Sequence, residues 1–317
     1  MRLDLMIEGQ DGVTWPQWRA IAEACEQHRI GTLFRSDHYI DLGGEHPERG
    51  SLDALATVSA LAALTTTLRL GTMVSPATFR HPSVLAKLVT TADHISGGRV
   101  ELGLGAGWHA REHAAYGFAY PDLPERMELL DEQLQIVLGH WRPGTEEEPF
   151  SFSGRHYRLE RLDAQPKPAQ RPHPPLLMGG GAGPVAARLA AAYADEYNTA
   201  FATVAEVRER RQRIERACEA AGREPLPFSL MTTVTVGRTE ADLRERVQRA
   251  AEFHGLDGDA LLRDPPPNVI VGTLEQAAER LLEYERAGAT RVLCQHPLPD
   301  DLEYIELIGR ELALLVA

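Results

Sequence analysis

Four short stretches of this 317-residue chain carry side chains that could do chemistry. Ser36-Asp37-His38 sets a carboxylate beside the one side-chain type that titrates near neutral pH, so the pair could donate or accept a proton at a pocket. It could equally be a helix cap with a surface histidine next to it. Gly179-Gly180-Gly181-Ala182-Gly183 lies between an apolar stretch and a helical pattern. Backbone amides can approach an anion closely in such a loop, and a following helix adds positive potential, so a phosphate group is the natural ligand. Gly103-x-Gly105-x-Gly107 has GxGxG rather than GxGxxG spacing, which suits close approach of a ring or loop better than a dinucleotide. His109-Ala110-Arg111-Glu112-His113 spells HxxEH, the pattern of a zinc-peptidase class. It lacks a long apolar helix around it and a third ligand, so no metal is expected there. Arg80, Arg99, Arg126 and Arg188 are possible anion partners or ordinary ion-pair members. Trp108 and Tyr116 could line a planar-ligand pocket or simply pack.

The elements that must position these residues alternate regularly. Apolar runs at 3–7, 32–35, 69–74, 100–104, 176–178, 196–199, 228–236 and 291–294 predict strands, and helical patterns separate them. Thr14-x-x-Gln17 and Thr273-x-x-Gln276 predict capped helix starts, and Pro82 with Gly97-Gly98 brackets another helix. Repeated strand–helix units imply parallel strands joined by right-handed crossovers. An open doubly wound sheet obeys the same grammar, but eight units in about 300 residues favour an α/β (β/α)8 TIM barrel. The span 1–317 reads as one such domain, with an insertion at about 110–175 between the fourth and fifth strands. That insertion holds a helix near 126–141, a hairpin near 150–159 and a proline-rich connector. In a barrel, chemistry sits where strands end, and Ser36-Asp37-His38, Ser75-Pro76, Gly105-Ala106-Gly107 and the Gly179 to Gly183 loop fall at such ends.

Composition narrows the setting. A net charge of −13 argues against nucleic acid and anionic membrane as partners. Three widely spaced cysteines suggest reduced, buried thiols in a reducing compartment. Asp4 stands where a signal peptide would be apolar, and no apolar run reaches a membrane-spanning ~18 residues. A cytoplasmic location is the expectation.

Several motifs together carry a resemblance: Ser36-Asp37-His38, Leu70-Gly71-Thr72 through Ser75, Arg80-His81-Pro82, and Thr91 to Val100 running into Gly103 to Trp108. Glu112, Tyr116-Gly117, Arg126, Gly154-x-His156-Tyr157, Pro166-Lys167-Pro168, the Gly179 loop, Val271-Gly272-Thr273 and Ala287-Gly288-Ala289 extend it. The chain resembles the luciferase-like monooxygenase superfamily, and within it the coenzyme F420-dependent (deazaflavin) oxidoreductases. The resemblance implies a TIM barrel, usually a homodimer, holding a flavin or deazaflavin in its mouth. It implies that His38 handles protons near the hydride-bearing carbon and that Asp37 holds the His38 ring or a ring edge of the cofactor. Met73-Val74 would form a non-prolyl cis peptide against the ring, Gly107 and Arg111 would lie near the ring edge or tail, and Gly179, Gly180 and Gly181 would cradle the phosphate. F420 is the expected cofactor and FMN the alternative. With FMN the protein would be a monooxygenase supplied by a flavin reductase partner; a non-catalytic flavin or deazaflavin carrier is the other alternative. Trp108 stands where sugar-phosphate dehydrogenase relatives carry an acid, so their substrate is not carried over. The substrate itself is a small molecule of unread identity.

Overall fold

The computed structural model describes residues 1–43, 46, 48–142 and 149–317. Its strands are β1 (Arg2–Ile7), β2 (Thr32–Arg35), β3 (Arg69–Pro76), β4 (Val100–Gly105), β5 (Phe150–Ser153), β6 (Arg158–Leu162), β7 (Leu176–Gly179), β8 (Glu196–Ala200), β9 (Phe228–Gly237), β10 (Ile270–Thr273) and β11 (Arg291–Gln295). Eight of them run parallel in the order β11-β1-β2-β3-β4-β7-β8-β9, and β9 pairs with β11 to close a TIM barrel. The eight strands predicted from apolar runs are these eight. Strand β10 lies outside the ring, pairing with the C-terminal half of the ten-residue β9. Nothing in the sequence reading marked it as a strand, because four residues running straight into a helix cap give no periodicity.

The helices are α1 (Trp15–Gln27), α2 (Ala54–Leu64), α3 (Pro82–Ser96), α4 (Ala110–Tyr116), α5 (Leu123–Trp141), α6 (Pro184–Tyr193), α7 (Val204–Ala220), α8 (Glu240–His254), α9 (Gly258–Arg263), α10 (Leu274–Arg286) and α11 (Leu302–Glu306). Their starts follow the predicted signals. The Gln17 carboxamide accepts from the Thr14 N–H at 2.9 Å, and the Gln276 carboxamide from the Thr273 N–H at 2.8 Å. Pro82 opens α3 and Gly97 closes it in the left-handed region. Between β4 and β7 lie α4, α5 and the β5–β6 hairpin.

Strand alternation sorts the core into a shell and a barrel interior. Leu3, Leu5 and Ile7 face the helix shell, whereas Met6, Phe34, Met73, Leu177, Met231 and Leu293 form a separate apolar layer inside. Below that layer, at the strand beginnings, Arg291 of β11 is buried among carboxylates. It bonds Asp4 at 2.6 Å, Glu101 at 3.1 Å and Glu196 at 3.1 Å, tying β1, β4 and β8 to β11. Above it, at the strand ends, sit the shorter or polar side chains of Glu8, Thr233 and Gln295. The three cysteines are buried free thiols, as expected of small apolar groups. Among the described residues, no helix is long and apolar enough to cross a membrane.

Candidate functional site

The four stretches converge at the C-terminal ends of β2, β3, β4 and β7. At the end of β2, Ser36 is locked in place: its hydroxyl accepts from the Gly9 N–H at 2.9 Å and donates to the Gln10 carboxamide at 2.5 Å. Asp37 follows, 1% exposed, and is committed to β3 and its loop. The Ser75 hydroxyl donates to Asp37 Oδ2 at 2.6 Å, and Arg80 bonds both carboxylate oxygens, at 2.5 and 3.1 Å. Arg80 also reaches Asp53 at 2.8 Å and the Tyr39 hydroxyl at 2.9 Å. The expected contact from Asp37 to the His38 ring is therefore replaced. Buried beside a guanidinium, Asp37 takes the nearer opposite charge and anchors the loop instead.

His38 is held by Glu112 of α4. Its Nδ1 lies 2.8 Å from Glu112 Oε2, while Glu112 Oε1 accepts from the Tyr39 N–H. Glu112 is fully buried, and His38 keeps only a narrow exposed edge. Burial alone would disfavour a charged imidazole, but the hydrogen bond and charge of Glu112 outweigh it, so the His38 pKa is raised. Burial likewise works against an ionised Glu112, and the His38 hydrogen bond and charge hold its pKa below the ordinary range. With Nδ1–H given to Glu112, Nε2 is the nitrogen left to exchange a proton. The sequence reading did not pair Glu112 with His38, because the two lie 74 residues apart. Its places in the HxxEH run and among the residues of the family resemblance were the available signals.

That run divides. His113 bonds the Thr78 hydroxyl at 2.6 Å through Nε2 and the His109 carbonyl at 2.8 Å through Nδ1, so it offers no nitrogen to a metal shared with His109. His109 instead turns toward Glu112, 3.9 Å away, and its ring meets that of His38 edge-on. His38, His109 and Glu112 place one donor atom each within 4.8 Å of one another, a cluster spacing alone had not put together. Arg111 bonds the Asp41 carbonyl, tying α4 to the loop after β2.

The Met73–Val74 peptide is cis, as the resemblance implied. The Val74 side chain lies over Gly103, Gly105 and Gly179, where an added Cβ would come within 3.1 Å of it. This gives the GxGxG spacing a use: it clears the barrel mouth for Val74. Gly107 adopts φ +79°, and a Cβ there would meet the Thr78 hydroxyl at 2.8 Å. Its glycine is thus required by local packing. The Gly179 loop stays open, since a Cβ at Gly181 or Gly183 meets nothing within 4 Å, and α6 starts directly behind it. Tyr116 stacks on Tyr39 at 4.8 Å between ring centres, an ordinary packing role, whereas Trp108 is 61% exposed beside His38.

The pair makes a titration prediction. The His38 midpoint, followed by NMR, should lie above the ordinary value of about 6.5 in the native protein. In Glu112→Gln the carboxylate charge is gone while burial remains, so the midpoint should fall below that value. An unchanged midpoint would show that Glu112 does not control the ring.

Comparison with known proteins gives a consistent set of likenesses. The profile of the luciferase-like monooxygenase family matches residues 5–291. An F420-dependent glucose-6-phosphate dehydrogenase of Nakamurella multipartita is 32% identical over 183 residues, 56% of this chain and 50% of that protein. An FMNH2-dependent dimethylsulfone monooxygenase of Pseudomonas putida is 33% identical over 121 residues, 38% and 32% of the two chains. The chain thus spans about half the length, or less, of these curated relatives. Among solved structures, an F420-dependent secondary alcohol dehydrogenase superposes with a TM-score of 0.82 at 19% identity over the whole of both chains, a likeness of fold.

Proposed function

The chain belongs to the luciferase-like monooxygenase family, and from that premise we propose that it is an oxidoreductase exchanging a hydride between coenzyme F420 and a small organic substrate. The observation that carries the reading is His38, protonatable and fixed by a buried carboxylate, at the same barrel mouth as an open glycine loop. The residues present fit such a cofactor: in the loop of Gly179, Gly180 and Gly181, a Cβ at Gly181 would meet nothing within 4 Å, which leaves room for a phosphate, and Val74, with Met73 beneath it, offers an apolar surface to a ring. When bound, F420 supplies a carbon centre that takes or releases two electrons as hydride. The chain's own work is to hold the phosphate on loop amides at the start of α6, to keep water from the ring, and to move one proton at His38 Nε2. Asp37 contributes through Arg80 and Ser75 by fixing the loop that presents His38.

FMN is the second reading, favoured by the likeness to the Pseudomonas putida enzyme. With FMN, the protein would be a monooxygenase served by a flavin reductase. Absorbance titration of the purified protein with F420 and with FMN separates the two. Binding of neither overturns both, and binding without turnover on any acceptor leaves a carrier. Gly181→Asp should weaken a phosphorylated cofactor about tenfold or more, ~1.4 kcal/mol, by setting a carboxylate in the cradle, while leaving riboflavin unaffected. Equal losses for both ligands would remove the phosphate from this loop.

A homodimer is part of the proposal. Leu64 on α2 and Val84, Leu88 and Ile95 on α3 stand exposed on adjoining helices, an apolar face suited to a second copy. Light scattering should give twice the 35.0 kDa chain mass, and Leu88→Glu should return it to one chain. A native mass of one chain would refute the dimer.

A further inference from the structure

A cavity of about 490 Å³ opens between the ends of β1, β9, β10 and β11, the loop after β2 and the helices α8 and α9. It is within the size range of small-ligand sites. Its wall is apolar, formed by Leu42, Phe201, Leu256, Leu261, Val269 and Val271. Part of its polar lining is a hydrogen-bonded row. Gln295 donates to Glu8 at 2.8 Å and accepts from the Thr233 hydroxyl, and Gln10 donates to the other Glu8 oxygen at 2.7 Å.

The charges facing this space are lopsided. Glu8, Asp11 and Asp41 line it, and burial, then repulsion by Glu8, raises the Asp11 pKa to about 7. Arg49 is the one permanent cation among the described lining residues, and it is already engaged. Its Nη2 donates to the Phe253 carbonyl at 2.8 Å, and its guanidinium stacks on the Phe253 ring at 4.0 Å. Of the lining histidines, His254 and His296 bond backbone carbonyls through Nε2, and burial lowers both their pKa values. His46 is paired with Glu48. A phosphate or carboxylate entering here would lose its hydration against apolar carbon and three acids, with one guanidinium to set against them.

We propose that this cavity receives an uncharged, mainly apolar small molecule bearing one hydroxyl or carbonyl group, and that its acidic edge excludes phosphorylated and other anionic substrates. The single polar end would meet the Glu8–Gln295–Thr233 row and the carbon skeleton the apolar wall. That this ligand is the substrate rests on the hydride-transfer reading; the ligand class rests on the cavity alone.

Calorimetric titration of the full chain, before and after adding F420, tests it with the series butan-2-ol to octan-2-ol and with glucose 6-phosphate. Affinity should rise about fourfold per methylene, the ~0.8 kcal/mol of a buried CH₂, and glucose 6-phosphate should bind at least ten times more weakly than octan-2-ol. Val269→Trp, which fills the cavity, should flatten the series. Val269→Arg should weaken the alcohols and bring glucose 6-phosphate into measurable range. A flat native series, an unaltered series in Val269→Trp, or preference for the sugar phosphate would overturn the proposal. Loss of F420 binding with the alcohol series intact would instead sink the cofactor reading and leave the cavity inference standing.

Discussion

His38→Ala should lower turnover about 10²–10⁴-fold, the usual worth of a positioned acid–base group, while changing cofactor affinity only a few-fold. The argument is geometric before it is electrostatic. Glu112 fixes the imidazole through Nδ1, so Nε2 is the nitrogen left to exchange a proton, and the raised His38 pKa keeps a proton available near neutrality. The profile carries the sign. A step that needs the protonated ring should be fastest below the folded-state pKa and fade as pH rises through it. In Glu112→Gln that fade should begin at lower pH, because the group that held the proton is gone. Stopped-flow measurement of the hydride step across pH reads both effects. Turnover surviving in His38→Ala would remove the proton role, and a loss confined to cofactor affinity would make His38 a binding group.

The largest effect on stability is expected from Arg291→Met. The Arg291 side chain is 4% exposed and bonds three carboxylates drawn from three other strands. Removing one member of a buried pair typically costs about 3–5 kcal/mol, because the remaining charge stays buried without a partner. Here Glu101 would keep Arg69 at 2.6 Å and Asp4 would keep Arg2 at 2.8 Å, while Glu196 would lose its cation. Burial already raises the Glu196 pKa despite the opposing charge of Arg291, and losing that charge would raise it further. A carboxylate whose folded pKa is raised binds protons more readily folded than unfolded, so the deficit should grow with rising pH and shrink toward pH 5. Urea unfolding midpoints at pH 5 and 8 measure this. A deficit under about 1 kcal/mol at pH 8 would place Arg291 in the class of replaceable surface pairs.

Much of the architecture was legible because strand–helix alternation writes itself into local sequence. Apolar runs such as 100–104, the Thr14 and Thr273 caps, and the Pro82 start needed no distant information. The site was legible only in its addresses. His38 and the Gly179 loop could be placed at strand ends, but the partner of His38 could not. Glu112 and His38 meet only when α4 folds back over the end of β2. Asp37 misled for the same reason: its neighbour in sequence was His38, yet its neighbours in space are Ser75 and Arg80, brought by β3. The pairing of β10 with β9 was hidden because a four-residue strand is defined by the long strand beside it.

The Arg291 hub and the methionine-rich layer above it stopper the barrel from beneath. On the proposed reading, cofactor and substrate would then share the mouth at the strand ends. Whatever arrives last in the mouth stands in the path of what arrived first, so reactants would queue: the deeper-lying partner enters ahead and departs behind. A leaving product that lingers at the threshold would then stall the next cycle from outside.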